Sequence, residues 1–355
     1  MSSRRGRPGL PPVVVLWCLA VVIGACTPTE DTSVDEPAPE VEDVEPSPQV
    51  GAVAAVVLPP RSRTTTPVLD AIDVDLRVLE SGNEPELGTV RTLIPDEVVF
   101  VRDLALYAGQ RAADLTCVLG PEGPSLVDEL ATLRPAARYC AIVGIPPEEP
   151  PPSEIDLLIV RAEELGHVVG MATAALPGER FAIATATTDL EGERFVDGFV
   201  AGLGQREAVL LDDEDEPSQI VARALADDVD GILVGSGHEA AAIADAARAA
   251  DIPLIGPQAL ADAGDDEGFA VTWGIRWDRI LQPSVDRLVG RSQPRGLSLG
   301  FSEGIFDVRS PVGSARIEEL IEQAIAEIGD GTRDPLQPPA VPDPPDPPDP
   351  PDPTD

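Results

Sequence analysis

Residues 180–258 restrict the possible folds more than any other stretch of the chain. Short apolar runs at 181–187, 208–211, 231–235 and 253–256 alternate with helical patterns at 195–204, 220–226 and 240–250. Strands separated by helices cannot be joined as tight hairpins, so they must run parallel, with the helices as crossovers covering the sheet. A doubly wound sheet of this kind binds ligands at the carboxyl ends of its strands, where the strand order reverses. Three such ends are polar here: Asp189, then the acids at 212–215, then Ser236-Gly237-His238. A small-molecule function is expected at those ends.

The same alternation fills the chain before and after this stretch. Strands are expected at 51–58, 75–79, 115–120, 139–143 and 157–160, with helices at 98–113, 125–133 and 163–176. Beyond 258 come a strand at 269–273, a helix at 277–289, strand-like runs at 297–300 and 305–308, and an amphipathic helix at 314–328. The fold class is therefore α/β, with two doubly wound parallel-sheet lobes joined by a hinge within residues 51–334. Lobe 1 is expected to take about 51–162 and 278–292, and lobe 2 about 163–270 and 297–334.

The two ends are of another kind. Residues 1–25 open with Arg4, Arg5 and Arg7, continue with an apolar run at 13–23, and reach Cys26 through Gly24 and Ala25. The run is too short to span a bilayer and reads as a secretory leader. Its exit resembles the bacterial lipobox, which implies that Cys26 becomes a lipidated first residue. Residues 26–50 are rich in Pro, Glu, Asp and Ser and read as a disordered tether. Residues 335–355 are a Pro/Asp tail, expected to be extended and solvated.

Charge removes several classes of partner. The formal net charge is −38, and every basic side chain other than histidine is arginine. A polyanion is a poor ligand for nucleic acid, whose affinity comes from Lys and Arg on phosphates. Without lysine there is no Schiff-base chemistry and no Walker-type phosphate loop. His167 and His238 are the only imidazoles, so the chain reads as a non-enzyme with no cofactor and no metal. The acids at 212–216, and Asp262 with those at 265–267, have neither the spacing nor the central glycine of a calcium loop.

Two motifs match catalytic or cofactor patterns in letter only. Gly296-Leu297-Ser298-Leu299-Gly300 fits G-x-S-x-G, but it sits in a strand-like run rather than a strand-to-helix turn. Gly235-Ser236-Gly237-His238-Glu239-Ala240 fits G-x-G-x-x-A, yet the next strand ends Gly256-Pro257-Gln258 without the expected acid. The second turn still presents free backbone N–H groups to a ligand oxygen. Trp273 and Trp277 flank Arg276 near the return between lobes and either stack on a ligand or pack the hinge. Cys117 and Cys140 fall in mid-strand on consecutive strands, either bridged or packed as buried thiols.

A lipobox, a tether and two α/β lobes together resemble the periplasmic-binding-protein type I architecture. Within it, the chain is most similar to the basic membrane lipoprotein (BMP) family of ABC-transporter substrate-binding proteins, of which it would be a divergent member. The residues carrying the likeness are Glu163-Glu164-Leu165-Gly166 through Gly170, Phe195-x-x-Gly198-Phe199-x-Ala201-Gly202 and Leu299-Gly300-Phe301-Ser302-Glu303-Gly304-Ile305. The resemblance implies a lipid-anchored, extracytoplasmic solute-binding protein that closes over a nucleoside-like ligand and delivers it to an ABC permease. The chain departs from the family at both ribose-holding acids: Arg61, Ser62 and Arg63 stand in the first segment, and Gln258 stands in the second. The candidate ligand contacts are Arg61, Ser62, Ser236, Gly237, His238, Gln258, Trp273 and Arg276. The loss of the two acids also leaves open a ligand-free surface scaffold or signalling lipoprotein.

Overall fold

The structure, a computed structural model, describes residues 51–110, 113–149, 152, 155–184, 192–211, 216–264, 268–291 and 296–338. Cys26 with its leader and tether, Asp189, the acids at 212–215 and 265–267, and tail residues 339–355 lie outside the described residues.

The first lobe begins β1 (Ala52–Val57), α1 (Thr66–Gly82), β2 (Leu87–Leu93), α2 (Val101–Gln110), β3 (Leu115–Leu119), α3 (Gly123–Leu133), β4 (Arg138–Val143) and β5 (Ile155–Val160). The chain then crosses to α4 (Ala162–Ala174), β6 (Arg180–Ala184), α5 (Gly192–Leu203), β7 (Glu207–Leu210), α6 (Pro217–Ala226), β8 (Gly231–Val234), α7 (Ala240–Ala249), β9 (Leu254–Pro257), α8 (Gln258–Ala263) and β10 (Phe269–Ile275). It returns through α9 (Trp277–Leu288) and β11 (Gly296–Leu299), then ends with β12 (Phe306–Arg309) and α10 (Ala315–Gly329). Two six-stranded sheets result, ordered β11-β5-β4-β3-β1-β2 and β12-β10-β9-β8-β6-β7. All pairings are parallel except β10 with β12.

Strands flanked on both sides should be apolar on both faces. Accordingly β3, β8 and β9 are buried at every position. Cys117 and Cys140 are register partners on β3 and β4. A disulfide joins them, with sulfurs 2.00 Å apart.

Three expectations are corrected. Residues 75–79 are not a strand but the second half of α1, which buries Leu69, Ile72, Leu76 and Leu79 at helical spacing. Val74 and Val78, both exposed, fill the intervening positions and create a false period of two. The true second strand is β2, whose glycine and two threonines mute its apolar signal. Residues 297–299, expected with lobe 2, lie in the first sheet, where β11 pairs with β5. Arg287, at the end of the preceding α9, pairs with Asp156 of β5, so the chain is already beside that sheet edge, which an apolar pattern does not reveal. Finally, the tail does not start free at 335. Nδ1 of buried His167 lies 2.8 Å from the carbonyl oxygen of Pro335, which pins the chain end to α4.

Three chain crossings join the lobes and are bonded to one another. The Arg161 N–H donates to the Leu299 carbonyl at 2.8 Å, and the Arg276 N–H donates to the Ile305 carbonyl at 2.8 Å. Glu164, 3% exposed, accepts the Phe301 N–H at 3.0 Å and pairs with Arg161 at 2.6 Å. Burial pushes its carboxyl above the usual range, against the pull of that N–H and Arg161. A Cβ at Gly300 would overlap the Glu164 carboxylate, so any larger residue there has to displace the Glu164 and Arg161 side chains.

Candidate functional site

The carboxyl ends of both sheets face a common cleft. Its first wall is built where β1 gives way to the turn before α1. That turn exposes its backbone to bonding from the opposite lobe, and the Thr65 N–H donates to the Ser236 carbonyl at 3.0 Å. Pro59 and Thr64 from the turn, Val68, Ile72 and Asp75 from α1, and Leu119 from the end of β3 line this side. The opposite wall comes from the end of β8 at Ser236, the end of β9 at Pro257, and Gln258 and Asp262 on α8. The floor is the end of β10 and the crossing that follows, Trp273 to Trp277, with Asp307 of β12 beside it. The cavity so enclosed measures about 210 Å³. That is below the range of about 300–1,000 Å³ of pockets for drug-sized ligands, and so suits a small solute.

Four of the residues read from the sequence come together here: Ser236, Gln258, Trp273 and Arg276. The other four do not line the cavity. Arg61 is exposed, 3.9 Å from Asp96. Ser62 lies in the same turn with its hydroxyl buried and without a hydrogen-bond partner. Gly237 is buried behind Ser236, and His238 is exposed ahead of α7. The G-x-G-x-x-A turn therefore gives the cleft one residue rather than a cradle. Ser298 of the G-x-S-x-G pattern is an exposed position on β11.

Each polar group of the lining has a distinct environment. Gln258 accepts from the Thr272 hydroxyl at 2.6 Å and donates from Nε2 to Asp262 at 2.5 Å. It thus orients the carboxylate that stands one helical turn further along. Arg276 is held bidentate by Asp278, with Nε to Oδ1 at 3.0 Å and Nη2 to Oδ2 at 2.9 Å. The same pairing strengthens the guanidinium's hold on its proton. Asp75 accepts the Trp277 N–H at 2.9 Å. Burial raises its carboxyl above the usual range; the Trp277 N–H opposes the shift, Asp278 adds to it and Arg276 reduces it. Trp273, 2% exposed, packs on Phe195 of α5 with ring centroids 5.2 Å apart.

Thr64 is the least satisfied group of the lining. It is 3% exposed, and its hydroxyl has no hydrogen-bond partner among the described residues. A buried, unbonded hydroxyl is costly, and this one belongs to a residue that borders the cavity.

Sequence reasoning missed Thr64, Asp75 and Asp307, and considered Asp262 only as an acid without calcium-loop spacing. The signal for Asp262 was present: it lies four residues after Gln258, on the same face of α8. Asp75 was hidden by the false strand pattern around it.

No family model matches the chain, and no curated protein sequence matches it. Solved structures do. An ABC transporter system solute-binding protein from Aeropyrum pernix K1 is similar at 16% identity and TM-score 0.63, over 79% of this chain and 92% of that one. A transcriptional activator of the comK gene from Bacillus halodurans is similar at 15% identity and TM-score 0.61, over 80% and 99%. A carbohydrate transporter from Acidothermus cellulolyticus 11B, in complex with myo-inositol, is similar at 12% identity and TM-score 0.56, over 80% and 100%. These neighbours are binding proteins and a regulator, and at such identities they share architecture rather than ligand. The chain has the two-lobed fold of periplasmic-binding-protein type I.

Proposed function

We propose that the chain is an extracytoplasmic solute-binding protein that closes two lobes over a small hydroxylated ligand and delivers it to an ABC permease. The observation that carries this reading is the unpartnered Thr64 hydroxyl on one lobe, across the cavity from Ser236 and Gln258 on the other. A ligand hydroxyl would satisfy it and tie the lobes together, favouring the closed state. The myo-inositol held by one structural neighbour is a compound of this kind. A nucleoside, the ligand implied by the BMP resemblance, would find its ribose acid in Asp262 rather than at Gln258. Trp273 and Arg276 would orient the ring from the floor.

Export and anchoring complete the reading. A leader of residues 1–25, ending just before Cys26, delivers the chain outside the cytoplasm, and the Cys117–Cys140 disulfide suits an oxidising compartment. Lipidation of Cys26 holds it at the membrane. Among the described residues no helix is long and apolar enough to cross a membrane.

A thermal-shift screen of the full chain against inositols, pentoses, hexoses and nucleosides tests the binding. A ligand at a hundred times its Kd should add about 2.7 kcal/mol to the folded state and raise the midpoint. A flat response across all four classes sinks the transport reading. Cys26→Ser should release the protein into the medium, and retention at the membrane would count against the anchor.

A further inference from the structure

The charge of the cleft says more about the solute than its shape does. Among the described residues, the lining holds three carboxylates, Asp75, Asp262 and Asp307, and one guanidinium, Arg276. The guanidinium is already committed to Asp278 through two hydrogen bonds. Asp307 is paired with Arg309. Asp75 and Asp262 are held instead by neutral donors, the Trp277 N–H and the Gln258 amide. Those bonds fix where the carboxylates stand, while the guanidiniums of Arg276 and Arg309 act on Asp75 and Asp262 through space, without a direct ion pair among the described residues.

Resting on the solute-binding reading above, we propose that the solute is an amine-bearing, hydroxylated small molecule whose ammonium group is held by Asp75 and Asp262. A neutral ligand would displace water from these carboxylates and return no charge, whereas an ammonium donates up to three hydrogen bonds and supplies it. The hydroxyl part of the ligand meets Thr64, which is buried, unpartnered and part of the same lining. Trp273 and Trp277 complete the wall, and indole rings attract cations more strongly than other aromatic side chains. Burial holds the Asp75 carboxyl above its usual range, so an arriving cation relieves a cost the empty cleft carries. The field of a chain at −38 draws cations towards the cleft at longer range. A bare metal ion fits less well: among the described residues no group of three or more His, Cys, Asp or Glu could hold one.

Titration calorimetry on the full chain tests this with matched pairs that differ in charge. Glucosamine and galactosamine are compared with glucose, galactose and the N-acetylated forms, at low salt. The amines should bind about tenfold tighter or more than their neutral counterparts. Asp75→Asn and Asp262→Asn each keep the hydrogen-bond acceptor and should cost the amines more than the neutral sugars, removing most of that preference. Circular dichroism and the unliganded midpoint establish that both variants fold. Equal or tighter binding of the neutral sugars overturns the inference while leaving the solute-binding reading intact. So does an amine preference that survives in the double variant. Absence of binding by every sugar, charged or neutral, counts against the cleft as a solute site and takes the inference with it.

Discussion

The contact between α4 and α5 and the cleft above it are both tightly built, but they are limited by different parts of the chain. At the helix contact the limit is backbone. Cβ atoms at Gly166 and Gly170 would overlap the carbonyl oxygens of Phe195 and Phe199, and those at Gly198 and Gly202 would overlap the carbonyls of Glu163 and His167. Four glycines at spacing four on two helices thus mesh in pairs, and only glycine fits. In the cleft the limit is side-chain chemistry. Thr64, Asp75, Ser236, Asp262 and Arg276 come from five separate elements or turns, brought together by the fold rather than by closeness in sequence. The first region tolerates no added atom, while the second keeps one buried hydroxyl, that of Thr64, without a hydrogen-bond partner among the described residues. Trp273 links the two, lining the cleft while packing on Phe195 of α5.

The largest effect is expected where backbone meets backbone. Gly202→Val places a branched side chain against the His167 carbonyl and should cost about 3 kcal/mol or more, or abolish folding. Gly192, at the start of the same helix, has nothing among the described residues within 4 Å of an added Cβ. Gly192→Ala should therefore be neutral, or stabilising by up to about 1 kcal/mol through helix propensity. Urea midpoints of the two variants measure the contrast directly. A Gly202→Val protein as stable as the parent would show that α4 and α5 separate at little cost, and the proposed difference between the regions would collapse.

This difference also explains what could be read from the sequence. The glycine mesh itself was not read from the sequence, but its two helices were, because apolar periodicity survives in a single chain. The strands β3, β4, β6, β8 and β9 were legible for the same reason, being short apolar runs bounded by turns. The cleft was half legible. Ser236 and Gln258 end strands of a recognisable ladder, so strand-end logic found them. Asp75 lies mid-helix and Thr64 in an irregular turn, and they reach the cavity only because α1 packs where it does. Gln258 shows the limit most clearly. It lines the cavity as strand-end logic expects, but its amide is engaged with Thr272 and Asp262, which the sequence does not reveal.

An intermediate effect is expected at His167, on the helix contact but bonded to the chain end. Pro335 offers only a carbonyl, so Nδ1 must donate to it; Arg333 can only donate, so Nε2, 3.4 Å away, must accept. The ring is therefore neutral when folded. Burial lowers its pKa, with Arg333 acting in the same direction, while the Pro335 carbonyl, Asp334 and Glu327 oppose. A folded value below the unfolded one of 6.5 means that the unfolded chain binds the proton first. Stability is full above pH 6.5 and declines as the pH falls through and below it, by at most about 1.4 kcal/mol per unit, until the folded ring also protonates. Asp75, Asp156 and Glu164 have raised pKa values and act in the opposite sense. The test is thus the difference in melting midpoint between the parent and His167→Gln from pH 8 to pH 5. An identical slope in both would exclude His167 as the cause.

The smallest effect on stability should accompany one of the largest on binding. Thr64→Val replaces a buried, unbonded hydroxyl by a methyl group of nearly the same size. In the ligand-free protein this removes a desolvation cost without opening a cavity, so the midpoint should hold or rise, by about 1 kcal/mol at most. A solute that bonds to the hydroxyl should lose about fivefold or more in affinity, the equivalent of one hydrogen bond. Opposite signs for folding and binding at one residue are what separates a group kept for a ligand from a group kept for the core. At the α4–α5 contact no substitution can show that pattern, because what harms packing there harms the fold. If Thr64→Val instead lowers the midpoint of the free protein by more than about 1 kcal/mol, its hydroxyl serves the turn, and the cleft loses its clearest marker for a ligand.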